Sequence, residues 1–219
     1  MTVSSEPSKS SALRLAVLIL AAGEGSRLGG HPKALLTKDG SSLLRRFIHS
    51  IQDLSPTETV IVTGFYADEV ESEIQSIQKN FQNIQNLITW VRNPKPEAGQ
   101  SSSVRLGLES LKSNYDVLLI ALCDQPHVGA SEIESLLEQF KQRSAEQEIV
   151  LPTVNGQRGN PVLFSKEVVQ KILGVPGLVC RAYMDQHPEQ IKIFAIDNAA
   201  YVLDVDTQAD IQKLGLDPL

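Results

Sequence analysis

The residues between positions 23 and 33 have the types that phosphate chemistry needs. Gly23, Gly25, Gly29 and Gly30 form a loop whose N–H groups can approach a ligand closely and take up positive φ, while Arg27 and Lys33 carry charge for phosphate oxygens. A bound polyphosphate is expected there. Much further along, Cys123-Asp124-Gln125-Pro126 places a carboxylate directly after an apolar run, where it could hold a metal ion against such a ligand. The glycines run Gly-x-Gly with no third glycine three residues on, which is not the dinucleotide fingerprint. The Gly-Lys-Ser/Thr of a Walker loop is also missing.

The elements that must position these groups follow from the spacing of apolar residues. Leu15 to Leu20 is an unbroken apolar run, as expected of a parallel strand covered on both faces, and it leads straight into the glycine loop. Leu43, Leu44, Phe47, Ile48 and Ile51 mark one face of a helix, with Ser41 or Ser42 as cap and Pro56 beyond its end. Thr59–Thr63 reads as a strand closed by Gly64, Asp68–Ile77 as a helix and Leu87–Val91 as a strand. A loop through residues 93–100 then leads to a helix capped by Ser101–Ser103. Asp116–Leu122 is the most apolar strand, and Asp124 stands at its carboxyl end.

The second half continues the alternation. A helix opens at Ser131 with the capping-box pattern Ser131-Glu-Ile-Glu134. Strands follow at 149–151 and 161–164, then a helix from Ser165 to about Gly174 and a short helix over 181–187. Residues 191–196 and Tyr201–Asp206 read as strands, and Thr207 opens a terminal helix. Alternating strands and helices predict a three-layer α/β/α, Rossmann-like sandwich with a mostly parallel sheet.

Composition narrows the function further. At 219 residues, with a Ser-rich segment 1–12 read as a solvated tail, residues 13–219 make a single domain. The charge of −6 without a basic stretch argues against nucleic acid as a partner, and no apolar run approaches the roughly 20 residues of a membrane span. No signal peptide is evident, and Cys123 and Cys180 lack metal or disulfide spacing, so the expected compartment is the cytoplasm. His31, His49, His127 and His187 are scattered without ligand spacing.

Together these segments resemble the nucleotidyltransferase superfamily of NTP pyrophosphorylases, with its Leu-x-(Ala/Gly)-Gly-x-Gly-x-Arg and following Pro-Lys. Here these are Leu20 to Arg27 and Pro32-Lys33. Gly99-Gln-Ser-Ser-Ser-Val-Arg-Leu-Gly-Leu108, Asp124-Gln-Pro126, Arg158-Gly-Asn-Pro-Val-Leu-Phe164 and Leu203–Ile211 make the chain most similar to the molybdenum cofactor cytidylyltransferase branch.

The resemblance implies a nucleotide-diphospho-sugar transferase type of fold. It also implies Mg²⁺-dependent transfer of CMP from CTP to the phosphate of molybdopterin, with release of pyrophosphate. Arg27, Lys33 and Asp124 would be catalytic. Leu20, Ala21, Ala22, Gly23, Gly25, Ser26, Arg27, Lys33, Gly64, Gly99, Ser101, Ser102 and Ser103 would bind nucleotide, and Asp124 with Asp204 or Asp206 would bind the metal. Gln125, Arg158, Asn160 and Arg181 would meet the acceptor. A phosphate nucleophile is already ionised at neutral pH, so no general base is required.

Two departures from the branch pattern stand out. One extra residue lies between Arg27 and Lys33, and Pro176-Gly-Leu-Val-Cys-Arg181 replaces Gly-Asp-x-Gly-Ala-Arg. The alternatives are guanylyl transfer to the same cofactor, nucleotidyl transfer to another small phosphate, or a non-catalytic maturation factor that hands the cofactor to a client molybdoenzyme. Arg105 and Arg158 are cations open either to acceptor phosphate or to an ordinary exposed helix or turn.

Overall fold

The computed structural model describes residues 13–80 and 87–218; the expected tail, residues 1–12, lies outside the described residues. The elements in chain order are β1 (Leu15–Ala21), β2 (Thr37–Lys38), β3 (Ser41–Ser42), α1 (Leu43–Ile51), β4 (Glu58–Thr63), α2 (Ala67–Asn80) and β5 (Ile88–Arg92). There follow α3 (Gln100–Ser110), β6 (Val117–Leu122), α4 (Ala130–Lys141), β7 (Ile149–Val154), β8 (Gln157–Arg158), β9 (Val162–Ser165), α5 (Lys166–Gly174), α6 (Cys180–Gln186), β10 (Ile191–Ala195) and α7 (Gln208–Leu214).

The main sheet runs β5-β4-β1-β6-β9-β7-β10, with β8 alongside β7. β9 runs antiparallel to β6 and β7, while β1, β4, β5 and β6 form a parallel block. The expected mostly parallel sheet is therefore present. Every residue of β1 is buried. Leu15, Val17, Ile19 and Ala21 pack on the side of α1, α2 and α4, whereas Ala16, Leu18 and Leu20 pack on the side of α3, α5 and α6. Strand alternation thus sends one unbroken apolar run into two separate cores, which gives three layers.

Register sets where ligands can bind. Leu20 pairs with Leu122 of β6, and Ala21 with Thr63 of β4, so the three central strands end level with one another. The loops after them open on one edge of the sheet, the place where open α/β sheets bind ligands.

Side-chain caps start α1, α5 and α7. Ser42 Oγ accepts from the Arg45 N–H at 3.1 Å, Ser165 Oγ from the Val168 N–H at 3.2 Å, and Thr207 caps α7 with Asp210 reaching back to it. Two expected caps are corrected. Gly99, at φ 91°, stands before α3 in place of the serines, because only glycine takes that turn without strain. At α4 the Glu132 carboxylate accepts from the Gly129 N–H, so the helix starts before Ser131 and Glu134 takes no part in the cap.

The expected strand over Tyr201–Asp206 does not form. Ala199–Tyr201 is a 3₁₀ turn, and the chain beyond it is irregular up to Thr207. Tyr201 packs in the core beside α4 and Val205 in the cluster under the glycine loop, so the apolar alternation here comes from two separate cores and not from a sheet.

Candidate active site

Past Ala21 the chain leaves the sheet and turns tightly. Gly25 (φ 62°) and Gly29 (φ 71°) flank a 3₁₀ turn over Ser26–Leu28, and the Leu28 N–H donates to the Gly25 carbonyl at 2.8 Å. A Cβ on Gly25 would collide with the carbonyl oxygen of His31, so the loop closes only with glycine there. Leu28 is fully buried with Leu36, Leu43, Val205, Ile211 and Leu216, and Gln208 Nε2 donates to the Leu28 carbonyl at 2.6 Å. The carboxyl-terminal segment therefore holds the glycine loop from below.

Above that loop lies a cleft of about 660 Å³. Leu20, Ala21, Ala22, Gly23, Gly25, Ser26, Arg27, Lys33, Gly99, Ser103, Asp124 and Asp206 all line it, which brings together most of the residues expected to bind nucleotide or metal. Lys33 sits at its floor. Its Nζ donates to Asp124 Oδ2 at 2.8 Å and to Asp206 Oδ1 at 2.6 Å. Burial works against the Lys33 charge, yet the two carboxylates outweigh it and hold the pKa above the usual lysine value.

Four expected nucleotide or acceptor residues are placed differently. Gly64 does not line the cleft; its Cα packs so closely on Ala22 that a Cβ would lie 2.7 Å from the Ala22 carbonyl oxygen. Ser101 also stays off the cleft. Ser102 turns its Oγ back onto the Gly99 carbonyl at 2.8 Å and, with Ser103, accepts from Asn93 Nδ2. Gln125 is buried, with its Nε2 donating to the Tyr201 carbonyl at 3.0 Å, and reaches no acceptor cavity.

A second cavity of about 440 Å³ adjoins the first, sharing Leu20, Gln100 and Leu122 with it. Arg158, Asn160 and Arg181 line this cavity over an apolar bed that includes Val104, Leu151, Phe164 and Met184. Arg158 is also ion-paired to Asp185 at 2.7 Å. Arg105 takes no part in either cavity. Its guanidinium donates to the carbonyls of Ile172, Leu173 and Val175, all at 3.0 Å, and closes the end of α5.

Sequence reasoning left Asp204 and Asp206 equivalent. Without the strand they are not: Asp206 lines the cleft and touches Lys33, while Asp204 does not line it and has its Oδ1 buried and unpartnered. Burial and the nearby Asp124 charge push the Asp204 carboxyl up to about 6. Phe65 was not expected at the site. It is exposed at the mouth of the cleft beside Ala22 and Gly23, immediately after Gly64; a lone aromatic after a strand-ending glycine was the available signal.

A family model for the MobA-like NTP transferase domain matches residues 17–190, from within β1 to the turn before β10. The chain belongs to the MobA-like NTP transferase family. Among curated relatives of this MobA-like chain, the bifunctional protein GlmU of Mycobacterium ulcerans is 23% identical over 205 residues, which cover 92% of this chain and 40% of GlmU. The chain thus spans less than half the length of that relative.

Solved structures share the fold of the MobA-like chain. Rv0371c from Mycobacterium tuberculosis H37Rv has a TM-score of 0.69 at 21% identity, covering 93% of this chain and 98% of Rv0371c. A manganese complex of the same protein has a TM-score of 0.64 at 18% identity, covering 92% and 97%. The 4-diphosphocytidyl-2C-methyl-D-erythritol synthase from Anaerococcus prevotii has a TM-score of 0.68 at 14% identity, covering 92% and 94%. No described helix is long and apolar enough to cross a membrane.

The donor set of this MobA-like transferase fits a hard divalent ion. Asp124 Oδ1 is buried without a hydrogen-bond partner, beside the oxygens that Lys33 engages. Among the described residues no cluster of three or more ligating side chains is present. An octahedral ion such as Mg²⁺ commonly takes only one or two carboxylates from protein and the rest from substrate phosphates and water.

Proposed function

We propose that this chain is a cytidylyltransferase that moves CMP from CTP to the phosphate of molybdopterin and releases pyrophosphate. The observation that carries the nucleotidyl transfer is the meeting of Lys33 with Asp124 and Asp206 directly beneath the Gly25–Arg27 loop. The Ala21-Ala22-Gly23 form and the named cytidylyl chemistry of one structural neighbour support CTP. The Asp124-Gln-Pro126 and Arg158–Phe164 motifs support molybdopterin as acceptor, with a cytoplasmic setting and a client molybdoenzyme downstream.

Each part has a task. The Gly25–Arg27 backbone and the Arg27 guanidinium, which makes no ion pair among the described residues, hold the β- and γ-phosphates. Lys33 steadies the α-phosphoryl group and the departing pyrophosphate as charge builds on their oxygens. Phe65 and the Leu20–Gly23 edge receive the base. Arg181 and Asn160 hold the acceptor so that its phosphate faces the α-phosphorus in line. Asp124 and Asp206 would hold Mg²⁺, a reading supported by the manganese complex of Rv0371c. The ion would supply further neutralisation of the triphosphate when bound.

The test is a pyrophosphate assay across nucleoside triphosphates and acceptors with Mg²⁺. Release is expected with CTP and molybdopterin together and not with either alone. Turnover with GTP would move the reading to guanylyl transfer, and turnover with a different phosphorylated acceptor would replace molybdopterin. CTP binding without turnover on any acceptor would leave a carrier.

A further inference from the structure

Tyr201 is completely buried, and its carbonyl oxygen is shared. Gln125 Nε2 donates to it at 3.0 Å, and the Asn160 N–H donates at 2.8 Å. Four residues on, the Val205 N–H donates to the Asp124 carbonyl at 3.0 Å. The stretch 201–205 is therefore fastened at both ends to the 124–125 dipeptide. Asp206, the next residue, has its carboxylate aimed at Lys33.

The acceptor side is tied to the same point. A Cβ on Gly159 would lie 2.6 Å from the Tyr201 carbonyl oxygen, so the backbone between Arg158 and Asn160 rests directly on Tyr201. Those two residues line the acceptor cavity. A buried carboxamide whose donor is committed to a backbone carbonyl is not available to a substrate. The same side chain also meets the Asp204 carboxyl, so it joins residues 201–204 to the 124–125 segment and fixes the distance between them.

We infer that Gln125 is a positioning residue: it braces the Asp124 and Asp206 carboxylates against the acceptor loop through the Tyr201 carbonyl. The inference deepens the proposed nucleotidyl transfer and rests on its assignment of Asp124 and Asp206 to a divalent ion. Without the amide, residues 201–206 lose the Gln125 bond to the Tyr201 carbonyl and the Gln125 contact with the Asp204 carboxyl, and keep the Val205–Asp124 hydrogen bond. Asp206 then loses its fixed place opposite Asp124, and the Arg158–Asn160 backbone loses the partner beneath it.

The test uses the full chain carrying Gln125→Met, which fills the volume without a donor, and Gln125→Glu, which keeps the length but removes the amide N–H. Hydrogen exchange is read at the Asn160 and Val205 amides, and Mn²⁺ binding is titrated by electron paramagnetic resonance. Both amides are expected to lose protection while those of β1 keep theirs, and Mn²⁺ affinity is expected to fall about tenfold or more, as when partners that orient a metal ligand are removed.

Unchanged protection together with unchanged Mn²⁺ affinity overturns the inference. So does a raised acceptor KM with both readouts unchanged, which would return Gln125 to direct acceptor contact. A wild-type chain that binds no Mn²⁺ removes the metal assignment, and the exchange pattern then still decides whether Gln125 is the brace.

Discussion

Lys33 Nζ lies 2.8 Å from Asp124 Oδ2, across a gap of 91 residues in sequence. Its second partner, Asp206, is 173 residues away at 2.6 Å. One ammonium group thus bridges two carboxylates that would otherwise repel each other in the cleft.

Replacing Lys33 separates its two tasks. In Lys33→Met the Asp124 carboxylate, only 16% exposed, loses its cation, and the metal-free protein is expected to melt at a lower temperature than wild type. Mg²⁺ should restore part of that loss by binding the freed carboxylates. The rate of pyrophosphate release should fall about 100-fold or more, because a donor aimed at developing charge is gone. Melting curves with and without Mg²⁺, beside the pyrophosphate assay, check both.

Asp204 and Asp206 should respond differently to the same change. Asp206→Asn is expected to weaken Mn²⁺ binding and remove most of the rate. Asp204→Asn should keep Mn²⁺ affinity within a fewfold, since Asp204 does not line the cleft and its Oδ1 is buried. Parallel Mn²⁺ titrations of the two variants decide it, and the reverse ranking would transfer the metal to Asp204.

The Asp204 carboxyl also predicts a pH dependence of stability. Its folded pKa of about 6 lies above the ordinary aspartate value of 3.8, because burial and then the Asp124 charge disfavour ionisation. A carboxyl shifted upward favours the folded state fully below about pH 3.8, and that contribution is lost as pH rises through about 6. In EDTA, Asp204→Asn should therefore gain melting temperature relative to wild type as pH is raised from 4 to 7. A constant difference across that range would contradict the assignment.

Packing under the nucleotide helix offers a purely structural prediction. Gly107 of α3 faces β1 and β4 so closely that an added Cβ would press into the methyl groups of Leu18 and stand 3.0 Å from Val62 Cγ2. Gly107→Ala gains about 1 kcal/mol of helix propensity, but overpacking should win, leaving a net cost of up to about 2 kcal/mol. Chemical denaturation should show the midpoint falling with an unchanged slope.

The sequence by itself determined the layers, the order of strands and helices, and the glycine loop with its two cations. These depend on period and on neighbouring residues: an apolar run such as Leu15–Leu20 suits a strand covered on both faces, and closely spaced glycines mark a tight loop. Asp124 was legible for the same reason, as the carboxylate that follows a central strand. Tertiary structure decided what depends on distant partners. Tyr201–Asp206 has strand-like alternation but finds no neighbouring strand to pair with; its Tyr201 C=O is taken up by Gln125 and Asn160, and its Val205 N–H by the Asp124 carbonyl, instead. That capture turns Asp206 toward Lys33, leaves Asp204 off the cleft lining and draws Gln125 inward. Side chains only a few residues apart acquire different roles because the chain between them is held by contacts from far along the sequence.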